Sequence, residues 1–315
     1  MTKYRHRLPQ LGDQLFLTDA GIETTLIFHE GLDLPLFASF TLLKDADGTE
    51  ALRRYYRRHA AIARKNATGF VLESATWRAS ADWGAKLGYG PDDLDAANRK
   101  AIALLHELRD EFETPGSPMV ISGNIGPRGD GYDPGSVMTA DEAQAFHARQ
   151  VEIFAEEGAD MVTAATMTNT PEAAGVVRAA RAAGMPVAIS FTVETDGRLP
   201  TGETLGQAID AVDSATGGYP VYFMINCAHP THFEDALADG EAWTARIGGI
   251  RANASRLSHA ALDEATELDD GDPAEFGRQY RDLRRRFRGI NVLGGCCGTD
   301  HRHIESVFEA CRVAA

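Results

Sequence analysis

Val292-Leu293-Gly294-Gly295-Cys296-Cys297-Gly298-Thr299 reads as a strand whose exit presents two adjacent thiols. The aliphatic run is the pattern of a buried strand, and the glycines on either side of the cysteines let the chain turn sharply. A second apolar run, Val221 to Asn226, also ends in a cysteine, Cys227. If both strands belong to one parallel sheet, three thiols meet at one end of it.

Working outward, apolar runs at 14–18, 69–73, 119–123, 159–164, 187–193 and 247–252 join those at 221–226 and 290–293 to make eight expected strands. Helical periodicity lies between most of them: over 48–65 Leu52, Tyr55, Tyr56, His59 and Ile62 recur at three-to-four spacing. Thr139 followed by Glu142 is a capping box before the helix expected over 139–158, and Pro171 suits the first turn of the next. Further helices are expected over 204–214, 231–237, 272–287 and 304–312, with 36–40 as a loop or capping element. Apolar strands alternating with helices imply a parallel sheet covered on both faces. The first strand exits into Asp19-Ala20-Gly21 rather than a dinucleotide glycine fingerprint, which weighs against an open doubly wound sheet. The expected fold is therefore an α/β (β/α)8 TIM barrel over residues 1–315 as one domain, with its site on the C-terminal face of the strands.

The 315 residues, 43% of them apolar, suffice for a large core without covalent staples. A formal charge of −15 argues against a nucleic-acid groove or an anionic membrane as partner, since both favour a basic face. Small-molecule substrates are the expected partners, and homo-oligomerisation is left open. There is no secretory leader pattern and no twenty-residue apolar span, so a reducing cytoplasmic location is the expectation. There a cysteine cluster indicates metal or catalysis more often than a bridge. Cys311, in the terminal helix, reads as unrelated to the other three.

Three thiolates around a zinc ion leave one tetrahedral position open, the mark of a catalytic rather than a structural site, and sulfur is the wrong ligand for a hard cation. Such a site is a poor Lewis acid for hydrolysis but can hold a substrate thiol that is deprotonated and still nucleophilic. The implied reaction is alkyl transfer, in its simplest form methyl transfer, to that thiol. Two other classes stay open: a zinc hydrolase, favoured if His229 and Asp19 flank an activated water, and a non-catalytic metal or thiol-binding protein, favoured if no amino-acid-sized pocket stands over the cysteines.

The motifs Ile225-Asn226-Cys227 and Gly294-Gly295-Cys296-Cys297-Gly298-Thr299 resemble those of the homocysteine S-methyltransferase family, with Gly123 to Pro127 and Ser190-Phe191 as supporting marks. The resemblance implies a zinc-dependent thiol methyltransferase that converts homocysteine to methionine, with Cys227, Cys296 and Cys297 as metal ligands and catalytic residues. S-methylmethionine or betaine is the expected donor. It also implies that Asp19 holds the substrate ammonium, that backbone near Gly21 and Gly295 takes the carboxylate, and that Asn226, Thr76, Trp77 and Arg78 belong to the substrate pocket. Three departures alter that pocket: Ala165 stands at a usual acid position, Trp77-Arg78 replaces an aromatic followed by tyrosine or glutamine, and Arg251-Ala252-Asn253 replaces Tyr-Pro-Asn. Glu73 is expected to supply the charge that Ala165 lacks.

Overall fold

In the computed structural model, which describes residues 2–237 and 240–312, eight parallel strands close into a barrel in chain order. They are β1 (Phe16–Leu17), β2 (Gly69–Glu73), β3 (Met119–Ile125), β4 (Met161–Met167), β5 (Val187–Phe191), β6 (Tyr222–Asn226), β7 (Ile247–Ala252) and β8 (Val292–Gly295). The (β/α)8 expectation is met. The ends of the expected 1–315 unit, Met1 and 313–315, lie outside the described residues, as do 238–239.

The surrounding helices are α1 (Ala46–Lys65), α2 (Ala81–Lys86), α3 (Pro91–Phe112), α4 (Ala140–Glu156), α5 (Thr170–Ala182), α6 (Leu205–Thr216), α7 (Pro230–Phe233), α8 (His259–Asp263), α9 (Pro273–Arg286) and α10 (His301–Cys311). Thr139 caps α4 as its spacing with Glu142 predicts: the Thr139 hydroxyl accepts from Glu142 N and the Glu142 carboxylate accepts from Thr139 N. Two segments differ from expectation. The helix expected over 231–237 is a single turn, α7, and 35–37 and 39–44 form 3-10 turns in place of the expected loop. Leu36 and Phe37 hold φ near +54° there and are exposed at the rim, where Phe37 borders the cavity described below.

Strand alternation sorts the barrel interior into layers, because successive side chains point to opposite faces. Phe16, Val71, Val120, Met161, Ala188, Tyr222, Met224 and Val292 form one apolar plug toward the N-terminal end. Two residues further along the same strands the inward positions become polar: Glu73, Ser122, Thr163, Ser190 and Asn226, with Arg251 on β7. The outward positions pack against the helices in a second, larger cluster. One period-two pattern thus produces both a dry floor and a polar mouth.

Helix α1 positions that mouth. Tyr55 Oη donates to Asp19 Oδ2 (3.0 Å) or to the Ala20 carbonyl (2.7 Å), and Tyr56 Oη donates to the Glu73 carbonyl (2.8 Å). One turn on, His59 donates from Nδ1 to the Tyr55 carbonyl at 3.0 Å and is fully buried. Burial pushes its imidazole down to about 4 from the ordinary 6.5. Below pH 6.5 the unfolded chain therefore takes up a proton that the folded chain refuses, and stability falls with pH until about 4. The loss through this one group should reach roughly 2 kcal/mol at pH 5. Urea unfolding of His59→Leu, compared with the parent at pH 7 and pH 5, should show that part of the pH dependence removed.

Candidate metal centre and substrate pocket

The exits of β6 and β8 bring Cys227, Cys296 and Cys297 together, with all three Sγ atoms within 4.8 Å of one another. Neighbouring strands hold them through the backbone: Cys227 N donates to the Arg251 carbonyl (3.1 Å) and Cys296 N to the Ala252 carbonyl (2.8 Å). Ala254 N donates to the Cys297 carbonyl, which ties the loop after β7 to the same site. The turn expected around the vicinal pair is present: Gly298 takes φ +78°, and a Cβ there would meet the Asp269 carbonyl at 2.7 Å. Cys227 sits at φ +54°, a left-handed conformation that a non-glycine residue adopts only when its surroundings enforce it.

The enforcement comes from Asn226. Its Oδ1 accepts from Thr166 N (2.9 Å) and Ser190 Oγ (2.6 Å), and its Nδ2 donates to Thr166 Oγ1 (2.8 Å). Thr166 is itself at φ +60°. Asn226 thereby pins the exits of β4, β5 and β6 to one another. His259, which sequence reasoning passed over, donates from Nε2 to the Cys227 carbonyl at 2.7 Å and stacks on Tyr132 with ring centres 3.9 Å apart. Tyr132 Oη reaches Cys297 Sγ at 3.5 Å. No local motif marks either residue, since Tyr132 arrives on the loop after β3 and His259 at the start of α8.

Cys227 and Cys296 lie in disulfide contact, with Cα atoms 5.4 Å apart. Reduced, three sulfurs converging at this range form a soft donor set suited to zinc and unsuited to calcium or magnesium. The donor chemistry therefore fits the expected metal.

Over the sulfurs stands a cavity of about 510 Å³, large enough for an amino acid and a second small molecule. Of the residues singled out from the sequence, Asp19, Gly21, Glu73, Trp77, Arg78 and Asn226 line it with the three cysteines. Thr76 and Gly295 are not among the lining residues. Thr76 is wholly buried and donates to the Asn124 carbonyl, while the Gly295 carbonyl accepts from Arg251 Nε at 3.2 Å.

Arg78 does not present a bare charge. Its guanidinium lies 4.2 Å from the Trp77 ring and 3.6 Å from the Trp83 ring, and Asp130 pairs with it at 3.7 Å. Stacking between two indoles shields the cation and occupies a face of Trp77. His229 caps α7 through Nδ1 and lines a separate cavity of about 210 Å³ with Arg256 and Glu275. It does not flank the sulfurs.

Arg251 is the feature the sequence under-weighted. Its side chain, 12% exposed, pairs with Asp19 at 2.8 Å and with Glu73, and it also donates to the Gly295 carbonyl. Burial works against its charge, yet Asp19 and then Glu73 more than offset this and hold its pKa above the ordinary value. Burial pushes the carboxyls of Asp19 and Glu73 up, and Arg251 draws both back. The signal for it was the arginine at the exit of the seventh expected strand; its partners were not visible because they lie 178 and 232 residues away in sequence. Removing the cation leaves two buried carboxylates uncompensated, so Arg251→Leu should destabilise the fold by about 3–5 kcal/mol in chemical denaturation.

The protein is thus a (β/α)8 barrel enzyme with a three-cysteine candidate metal site at the C-terminal mouth. Residues 16–311 match the family described as homocysteine S-methyltransferase, and the chain belongs to that family. Its chemistry is of the homocysteine-methyltransferase type. Among curated proteins it is similar to homocysteine S-methyltransferase 1 of Arabidopsis thaliana, 22% identical over 92% of this chain and 91% of that one. It is also 22% identical to the selenocysteine Se-methyltransferase of Brassica oleracea var. italica, over 93% and 88% of the two chains. The fold is shared with the homocysteine methyltransferase MmuM from Escherichia coli in its metallated form, with a TM-score of 0.74, 21% identity, and 99% and 100% of the chains covered. The oxidised form of the same protein aligns with an equal TM-score of 0.74 at 22% identity.

Proposed function

We propose that this barrel transfers a methyl group from a cationic donor, S-methylmethionine or betaine, to the thiol of homocysteine, with zinc held by Cys227, Cys296 and Cys297. The observation that carries the reading is the convergence of three sulfurs beneath a cavity of amino-acid size. A zinc ion there would supply the Lewis acidity that lowers the pKa of an incoming thiol. The acceptor sulfur then forms its bond to the methyl carbon as the bond to the leaving group breaks, with both electrons departing on that group.

The protein's own residues orient and enclose the reactants. Asn226, through Thr166 and Ser190, fixes the exit that carries Cys227, and His259 holds the Cys227 carbonyl. Phe28, Phe37, Leu262 and Leu268 give the cavity apolar walls that exclude water from the displacement. Six acidic side chains against two arginines line the cavity, a balance that favours a cationic donor over an anionic one. Trp77 and the Gly21 backbone belong to the pocket wall in this reading.

The rival readings receive less support. A hydrolase would need His229 and Asp19 around an activated water, whereas His229 faces another cavity and Asp19 is engaged by Tyr55 and Arg251. A storage protein would need no enclosed pocket of this size.

Cys297→Ala should lose bound zinc and at least ~100-fold of methyl transfer while keeping its circular dichroism spectrum, as expected when a metal ligand is removed. Parallel assays with homocysteine and S-methylmethionine, betaine or a methylfolate should show turnover with an onium donor. Full zinc content and full activity in the variant would refute the proposal.

A further inference from the structure

We infer that Glu23 is the carboxylate that holds the ammonium group of the acceptor thiol, a specificity role that Arg251 denies to Asp19 and Glu73. The inference rests on the acceptor being an amino-acid thiol, as proposed above. It starts from charge compensation at the mouth of the barrel.

Apart from Glu23, each acidic side chain lining the cavity has an ion-pair or hydrogen-bond partner or stands at the exposed rim. Asp19 and Glu73 pair with Arg251, and Asp19 accepts a further hydrogen bond from the Tyr55 hydroxyl. Asp130 pairs with Arg78, Asp269 accepts from Ser255 Oγ and Gly271 N, and Glu267 stands on the exposed rim. Glu23 differs from all of these. It is half-buried, lines the cavity, and accepts from the Ser39 hydroxyl at 3.1 Å, with no ion pair among the described residues.

Its position is also set relative to the sulfurs. Gly298 N donates to Thr24 Oγ1 at 2.9 Å, and a Cβ on Gly21 would meet the Cys296 carbonyl at 2.5 Å. The segment 21–24 is therefore seated directly on the cysteine loop, and the Glu23 carboxylate shares the cavity with Cys297. Burial, joined by the nearby Asp19, pushes its carboxyl up, while its hydrogen bonds and the Arg78 guanidinium, which is beyond ion-pair distance, draw it only part of the way back.

An ammonium brought into such a cavity needs a partner, because leaving it unpaired forfeits its hydration without return. On Asp19 and Glu73 that partner position is filled by a guanidinium of the same chain. Glu23 has no direct ion pair among the described residues, and the one cation that acts on it, Arg78, is itself paired with Asp130. One acceptor ammonium would neutralise one carboxylate while leaving the Arg251 cluster intact.

The test is calorimetric binding of two thiols to the zinc-loaded protein: homocysteine and 4-mercaptobutanoate, which keeps the thiol and carboxylate but lacks the amino group. The parent should prefer homocysteine. Glu23→Gln should weaken homocysteine by about tenfold or more and leave 4-mercaptobutanoate within about twofold, the expected loss for one charge-assisted hydrogen bond. Glu23→Asp should recover part of the loss, which separates a charge role from a packing role. Unchanged homocysteine affinity in Glu23→Gln would overturn the assignment while leaving thiol acceptance standing. Failure of the parent to bind either thiol would overturn both.

Discussion

A guanidinium taken out of water must find its countercharges in place, and Arg251 finds them at the exits of two neighbouring strands, β1 and β2. Asp19 follows β1, Glu73 ends β2, Arg251 lies on β7, and Gly295, whose carbonyl accepts from Arg251, ends β8. The cluster therefore spans the seam where the first and last parts of the chain meet. Because desolvation penalises each member alone and pairing offsets it only together, these four exits are fixed relative to one another. Tyr55 and Tyr56 of α1 lock the same exits from outside.

The sulfur site is the other half of that arrangement. Cys296 and Cys297 follow directly from the carbonyl that Arg251 holds, and Cys227 N donates to the Arg251 carbonyl itself. Backbone held in the left-handed region at Cys227 and Thr166 is sustained by the Asn226 network, and strain of this kind persists only where surrounding structure over-determines it. Electrostatics and backbone geometry thus converge on three sulfurs that face a shared cavity.

A barrel of this kind separates stability from chemistry along the strand axis. The apolar plug from Phe16 to Val292 forms the floor, while the polar layer above it and the loops beyond the strand ends carry the candidate site residues. Changes in the mouth, as at Arg251 or Ala165, leave the floor untouched. Substrate preference can shift in this way without altering the fold.

Much of this was legible in the chain itself. Eight apolar runs separated by helical periods dictate parallel strands covered by helices, because burial on both faces and the 3.6-residue period are local properties. The paired motifs ending in Cys227 and in Cys296-Cys297 mark a metal-binding mouth for the same reason: glycines and thiols at strand exits are read residue by residue. What the tertiary structure alone decided is who neutralises whom. Arg251 meets Asp19 and Glu73, His259 meets the Cys227 carbonyl, and Arg78 is wedged between Trp77 and Trp83. Charge compensation depends on distances through space rather than along the chain, and closing the barrel is what sets those distances.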